Sequence, residues 1–238
     1  MLNMTRGIHP NDLEMIEQIP GVAAVVRDGE LRLMWCTRSH LLKPGEVPKD
    51  YVGTTLDDIL PPSAARERNE ILRRVVSTGK ASSFYQFSAD TRVLCTIFPL
   101  DEQTFGYKGT LSLVRDMPNH LRIGGTRMDI PVMRIPNLHE MGILSLRELE
   151  VLYFVACGKS TQEIAEELSR ATKTVEHHIN SIHGKMGTRS RGQLVRLASE
   201  RGIQSFSKEE WLSIVDGARL VRKEAGQTEP WQTQAQEG

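Results

Sequence analysis

The chain has 238 residues, balances 30 Lys+Arg against 30 Asp+Glu, and is 39% hydrophobic and 25% charged. Such a composition excludes a chain disordered throughout, a collagen-like repeat and a disulfide-stapled miniprotein. At roughly 100 to 200 residues per domain it accommodates two modest globular units. A net charge of zero gives no global attraction to nucleic acid, so any such function requires a local concentration of basic side chains.

No stretch approaches the roughly 18 uninterrupted apolar residues of a membrane span, and the opening MLNMTRGIHPN lacks the apolar core of a signal peptide, so a cytoplasmic location is expected. Cys36, Cys95 and Cys157 are far apart and sit in apolar runs, which predicts buried, reduced thiols rather than a disulfide or CxxC framework.

Residues 22–36 offer two apolar-alternating segments around Asp28-Gly29, a dipeptide suited to a tight hairpin, with Leu31, Leu33 and Trp35 on one face of the second. Turn signals at Pro44-Gly45 and Pro61-Pro62 follow. A helix is then predicted from about Ser63, with Ile71, Leu72, Val75 and Val76 at helical spacing and Gly79 as its stop. Three further strands are predicted at 82–88, 91–98 (Val93, Cys95 and Ile97 on one side) and 107–114 (Tyr107, Gly109, Leu111 and Leu113 on one side). The expected order is two strands, helices, three strands.

That order, with the run YVGTTLDDILPPSAARERNEILRRVVSTGK feeding a three-stranded meander, resembles the PAS sensor family over residues 11–117. The resemblance implies a five-stranded antiparallel sheet with short helices over one face, enclosing a pocket or presenting the sheet to a partner. Residues 118–143, with Pro118, Gly124-Gly125, Pro131 and Pro136, read as a linker. Residues 226–238 read as a disordered tail.

The segment from Ser145 is the most informative. Ser145 with Glu148 forms a capping box, in which the hydroxyl accepts a free first-turn N–H while the carboxylate reaches back to the cap's own amide. Leu149, Leu152 and Val155-Ala156 make the apolar stripe of this helix, and Gly158 ends it. Ser160 with Glu163 starts a second, short helix burying Ile164, Ala165 and Leu168, and Thr172 is the expected cap of a third. There Val175, Ile179, Ile182 and Met186 recur at helical spacing, so Lys173, His177, Asn180 and Gly184 face outward with Thr174, Glu176 and Ser181 on the flanks. A short helix, a tight turn and a helix with a polar outer face make a helix-turn-helix, whose second helix fits a major groove about 12 Å wide. A fourth helix starts at Ser190, boxed by Gln193, and buries Leu194, Leu197 and Ala198.

Charge agrees with this placement. From Lys173 to Phe206 the basic residues are Lys173, Lys185, Arg189, Arg191, Arg196 and Arg201, against only Glu176 and Glu200. Neutralising phosphates supplies most non-specific affinity for DNA, so the cluster belongs where a duplex would lie.

The run LSLRELEVLYFVACGKSTQEIAEELSRATKTVEHHINSIHGKMGTRSRGQLVRLA, residues 144–198, resembles the LuxR-type helix-turn-helix domain of bacterial transcription regulators through the whole four-helix unit, which gives a domain over 144–206. The resemblance implies dimeric binding to double-stranded DNA. It also implies that Lys173, Thr174, Glu176, His177 and Asn180 occupy recognition-helix positions, that Lys185, Arg189 and Arg191 are DNA contacts at its end and in the turn beyond, and that His178 is structural. Two departures are Leu146, where the family often has proline, and Glu176, where it often has lysine; a glutamate can accept a hydrogen bond from cytosine N4. Beyond the minimal domain, Ser207 and Glu210 cap an additional helix over 207–225, with Trp211, Ile214, Val215, Ala218 and Val221 on one stripe, expected to join a dimer contact or to pack on the sensor.

The chain therefore reads as an α+β protein: a PAS-like sensor controlling, through a linker, a dimeric helix-turn-helix, with no enzymatic activity and no cofactor. Its sensor would take an unidentified small-molecule or protein signal. The alternative is a protein-interaction or phosphorylation-controlled regulator whose N-terminal domain binds a partner protein. His177, His178 and His183 miss the i, i+4 pairing that aims two imidazoles at one ion. Asp57-Asp58 precede Ile59-Leu60-Pro61 rather than ending a strand, which suits helix-start acids better than a phospho-acceptor pair. Cys36 and His40 are the side chains near the expected pocket that could ligate haem, and each alone is more often a core or surface residue. Trp35, Tyr85, Phe87, Phe98 and Tyr107 are read as packing for the sensor core or lining for its pocket.

Overall fold

The computed structural model describes residues 10–37, 51–117 and 130–226. The candidate haem ligand His40, residues 118–129 of the expected linker and residues 227–238 of the expected tail lie outside them. Packing divides the chain into two compact units: Met1–Tyr85 with Leu94–Asp116, and Gln86–Val93 with Met117–Gly238.

In the first unit a 3-10 segment, Pro10–Gln18, precedes β1 (Val22–Asp28) and β2 (Leu33–Cys36). Then come α1 (Leu56–Ile59), α2 (Pro62–Thr78), β3 (Ser82–Ser88), β4 (Thr91–Leu100), α3 (Glu102–Phe105) and β5 (Gly109–Asp116). The five strands form one sheet in the order β2-β1-β5-β4-β3, with β1 antiparallel to β2 and to β5. This is the α+β, two-strands-helices-three-strands arrangement expected from periodicity.

α2 begins on Pro62, whose fixed φ suits a first helical turn, buries Ala65, Leu72 and Val75, and ends at Gly79 with φ of 64°. Asp57 and Asp58 are structural. The Asp58 carboxylate accepts from the Thr55 amide and hydroxyl at 2.7 and 2.8 Å, and the Asp57 carboxylate accepts from the Asn69 amide at 2.8 Å.

One local expectation is corrected. Asp28-Gly29 does not form a two-residue hairpin; Asp28 Oδ1 accepts from the amides of both Glu30 and Arg32 at 2.9 Å, which widens the turn and places Leu31 at φ of 66°. On β5 the buried residues include Thr110 and Ser112, opposite Arg27 and Val25 of β1, while Leu111 and Leu113 are only half-buried. Gly109 is required there because a Cβ would lie 2.1 Å from the Arg27 carbonyl oxygen.

The second unit is helical: α4 (Leu146–Ala156), α5 (Thr161–Glu167), α6 (Thr172–Met186), α7 (Arg191–Glu200) and α8 (Lys208–Glu224), with 3-10 turns at Glu140–Ile143 and Ile203–Ser205. α4, buried along most of its length, is the centre. Leu149 and Leu152 pack among Ile164 of α5, Val175, Ile179 and Ile182 of α6, Leu194 of α7 and Ile214 of α8. Each fully buried aliphatic side chain contributes roughly 1.5–3 kcal/mol.

Helix α8 belongs to this core. Trp211 is fully buried and its indole N–H donates to the Leu149 carbonyl at 2.9 Å, so the additional helix packs on α4, the first helix of the four-helix unit. Phe87, expected in the sensor core, sits instead in this unit, edge-on to Trp211 at 5.3 Å and to Phe206 at 6.3 Å. Within the expected linker, Met133, Ile135 and Met141 are buried. Cys36 and Cys95 are buried as expected, but Cys157 is exposed, because it is the C-cap of α4 where the chain turns out through Gly158.

Candidate nucleic-acid interface

The interface is built from α4 upward. Ser145 Oγ accepts from the Glu148 amide at 3.2 Å, and Glu148 Oε2 accepts from the Ser145 amide at 2.6 Å, so the predicted capping box forms. Ser160 with Glu163 and Ser207 with Glu210 repeat it on α5 and α8. On α7 only half forms. Ser190 Oγ accepts from the Gln193 amide, but Gln193 Oε1 turns back to the Arg189 amide at 2.7 Å.

α5 and α6 are joined through Leu168 to Ala171, with Ser169 at φ of 51° and the Arg170 amide donating to the Ala165 carbonyl at 2.9 Å. The N-cap of α6 is Ala171, with no side-chain cap bond, so Thr172 is the first helical residue rather than the cap. Beside this turn lies an open cleft of about 590 Å³, bordered by Gln162, Ser169 and Thr172.

α6 turns Val175, Ile179 and Ile182 into the core. Lys173, Thr174, Glu176, His177 and Asn180 are all exposed on its outer side, so the sequence-derived set is brought together on one continuous polar surface. The three cations expected to contact DNA beyond this surface differ from one another. Arg189 is exposed in the turn after α6. Arg191 is half-buried and its guanidinium donates to the Lys159 carbonyl. Lys185 donates to Glu148 Oε2 at 2.7 Å and is occupied within the chain.

Glu148 is the organising group that sequence spacing did not reveal, since its partners lie 33 and 37 positions away. Its side chain is 5% exposed and it also accepts from Ser181 Oγ at 2.6 Å. Burial alone would raise its pKa; hydrogen bonds from Lys185, Ser181 and the Ser145 amide override that and hold it below the ordinary value. His178 is half-buried against the same group, and its burial lowers its pKa, which favours a neutral ring away from the outer surface. His183 Nδ1 lies 2.7 Å from Thr188 Oγ1 and braces the turn after α6. Arg170, exposed just before the α6 N-cap, was not singled out from sequence; its signal is a cation at the helix end where free N–H groups already favour phosphate.

Among the described residues no group of three His, Cys, Asp or Glu side chains could hold a metal, and no helix is long and apolar enough to cross a membrane.

α5, the turn and α6, braced by the buried Glu148 carboxylate, form a helix-turn-helix, and known families match both halves of the chain. Residues 142–198 match the luxR family of bacterial regulatory proteins, and residues 16–118 match the PAS fold. The chain carries a LuxR-type helix-turn-helix domain and an N-terminal PAS-fold domain. The PAS match includes Gln86–Val93, which pack in the helical unit. The oxygen regulatory protein NreC of Staphylococcus aureus is 44% identical over 64 residues, 27% of this chain and 30% of NreC, so the chain spans less than a third of the length of these curated relatives. Among solved structures, the VqmA dimer of Vibrio cholerae in the absence of target DNA is 23% identical, with 86% of this chain and 93% of that chain covered and a TM-score of 0.42. The Vibrio cholerae VqmA complex with ligand and DNA is 22% identical, with 84% and 91% covered and a TM-score of 0.45.

Proposed function

We propose that the protein is a cytoplasmic, one-component transcription regulator that binds double-stranded DNA as a homodimer, with its PAS-fold domain receiving a small-molecule or protein signal. The observation that carries this reading is the outer side of α6, where Lys173, Thr174, Glu176, His177 and Asn180 are exposed while Val175, Ile179 and Ile182 are buried beneath them. An apolar-backed helix with that surface is shaped to enter a major groove and present hydrogen-bonding groups to base edges. Lys173, Arg189 and Arg170 supply positive charge toward the phosphates. Lys185 acts mainly by holding α6 on α4, and Arg191 by holding the start of α7 to the Lys159 carbonyl.

No bond is made or broken in this function. A dimer reads two half-sites roughly 34 Å apart, one turn of duplex, and a signal acts by changing whether both recognition helices reach them together. The test is selection of a random duplex pool by the full chain. A recurrent palindromic or repeated half-site is the expected outcome, and a bound pool with no enriched sequence overturns the reading.

A further inference from the structure

Strands β3 and β4 are joined by the two residues Ala89 and Asp90, at φ of 50° and 61°. Positive φ at both centres is the signature of a type I′ hairpin, normally filled by Asn-Gly or Asp-Gly, because a Cβ in the left-handed region crowds the following carbonyl oxygen. Asp tolerates it better than most residues, but alanine at the first position has no such excuse. A turn held in this form must be fixed by its surroundings, and such strain tends to collect where a segment has work to do.

What fixes it is the helical unit, to which Gln86–Val93 belong. Asp90 is 1% exposed, and its carboxylate accepts from the amides of His139 at 3.1 Å, Glu140 at 2.6 Å and Met141 at 3.2 Å. These amides form the start of the 3-10 turn that leads into the Ser145 cap of α4. Arg201, the C-cap of α7, reaches Asp90 Oδ2 at 3.3 Å and Glu140 Oε2 at 3.1 Å, and its carbonyl accepts from the Arg92 amide at 3.0 Å. On the other side of the turn, the Phe87 carbonyl accepts from the Asn137 amide at 3.0 Å, while the Phe87 ring enters the cluster with Trp211.

One turn past the Ser145 cap, Glu148 bonds Ser181 and Lys185 of α6. The Asp90 hydrogen bonds end on the amides of 139–141, the covalent backbone from Met141 to Ser145 carries the path to the cap of α4, and the Glu148 hydrogen bonds carry it on to the helix proposed to read DNA. Through the covalent chain the same turn continues into the strands of the sheet.

We propose that the Ala89–Asp90 turn is the element that sets the position of α6, so that a change in the sheet reaches the recognition helix through the Asp90 carboxylate as well as through the connecting segment. The DNA readout rests on the function proposed above; the positional claim does not.

The experiment uses the full chain and a duplex enriched by the wild type. Asp90→Ala is compared with Ser207→Ala, which removes the cap of α8 in the same unit without touching the hairpin. Asp90→Ala is expected to weaken binding by ~5- to 150-fold, the usual range of coupling between sites, and to speed amide exchange at Ser181–Lys185 more than in α8. Ser207→Ala is expected to lower the melting temperature while leaving affinity within about twofold, since a cap contributes local stability only. An unchanged affinity for Asp90→Ala, or an equal loss in both variants at matched melting temperature, overturns the proposal.

If Asp90→Ala does not fold, Asp90→Asn takes its place, because it keeps the left-handed tolerance and an acceptor but loses the charge facing Arg201; about fivefold weaker binding is expected, the lower end of such couplings, and no change overturns the proposal. If no duplex is enriched, the DNA-binding reading fails, and exchange alone decides this one: acceleration at Ser181–Lys185 supports it, and exchange changed equally across the unit rejects it.

Discussion

The Glu148 carboxylate in the first turn of α4 lies 2.7 Å from the Lys185 ammonium in the last turn of α6. Lys185, which the family resemblance makes a DNA contact, is thus also a brace between two helices. Lys185 and Arg189 should separate cleanly. Lys185→Met is expected to lower stability by about 1–3 kcal/mol, because it strands a buried carboxylate, and to change the salt dependence of DNA binding little. Arg189→Ala is expected to leave stability within about 0.5 kcal/mol while reducing the salt slope of binding by about one unit. Urea melts and salt titrations of both variants decide it; a one-unit slope change for Lys185→Met would show that the brace opens on DNA.

The same carboxylate gives a pH prediction. Lys185, Ser181 and the Ser145 amide hold Glu148 below the ordinary carboxylate value, outweighing the burial that would raise it. A depressed folded-state pKa stabilises the fold fully above the unfolded value, about 4.3 for glutamate, and that contribution is lost as the pH falls through the lowered folded value. Glu167 adds to the acid limb, since Lys159 and Lys208 hold its carboxyl down to about 2. Urea midpoints measured from pH 7 to pH 3 should fall for the wild type and fall less steeply for Glu148→Gln. Parallel curves would mean that Glu148 does not titrate with folding.

The helical half was legible because its signals are local. Ser145 with Glu148, Ser160 with Glu163, and the spacing of Val175, Ile179 and Ile182 each fall within a few residues, and the structure forms all of them. The strands and α2 were legible for the same reason. What sequence did not show depends on long-range partners: Phe87 alternates like any strand residue and nothing nearby says that it packs on Trp211, and Glu148 is a complete cap partner before Lys185 arrives. The β3–β4 turn was legible in its bounds, since strands expected at 82–88 and 91–98 leave Ala89-Asp90 between them, but not in its form, because neither residue is the glycine that advertises such a hairpin. On α6 the sequence placed Lys173, Thr174, Glu176, His177 and Asn180 outward and Val175, Ile179 and Ile182 inward, as the structure has them, but it could not show that Lys185 and Arg191 already have partners within the chain.

Phe87 lies in the PAS-matching stretch but should behave as a core residue of the helical unit. Its ring is fully buried against Phe206 and Trp211. Phe87→Ala removes those edge contacts and leaves a cavity, with an expected loss of about 3–5 kcal/mol. Because Trp211 borders the cavity, tryptophan fluorescence should report the destabilised transition directly. A loss below about 1 kcal/mol, smaller than the usual range for this substitution, would mean that the cluster collapses onto the site.

Gly217 tests how closely α8 is seated. A Cβ there would stand 2.1 Å from the Arg134 carbonyl oxygen, a backbone atom that cannot swing aside as a side chain would. Alanine improves helix propensity by up to about 1 kcal/mol, yet Gly217→Ala is expected to lose about 1–3 kcal/mol net through overpacking. Gly192→Ala in α7, where a Cβ meets nothing within 4 Å, should gain roughly 0.5–1 kcal/mol. Chemical melts of the pair read the contrast, and equal gains would show that the segment around Arg134 yields to α8.

The recognition surface itself is tested most sharply by His177 and Asn180, both exposed on α6 and neither required by the buried face beneath them. Because an exposed side chain contributes little to folding, His177→Ala and Asn180→Ala should keep the wild-type melting temperature. A good bidentate contact discriminates against a wrong base by about 1–3 kcal/mol, so each substitution should relax preference at one or two positions of the selected site and leave the others intact. Glu176→Lys should act differently, since it exchanges a group that accepts from cytosine for a cation that favours guanine and phosphate; its expected signature is a changed preferred base together with a steeper salt dependence. Parallel selections with the three variants measure both quantities. If all three enrich the wild-type site with unchanged base preferences, α6 does not read the groove, and the cations of the turn would hold the duplex without sequence information.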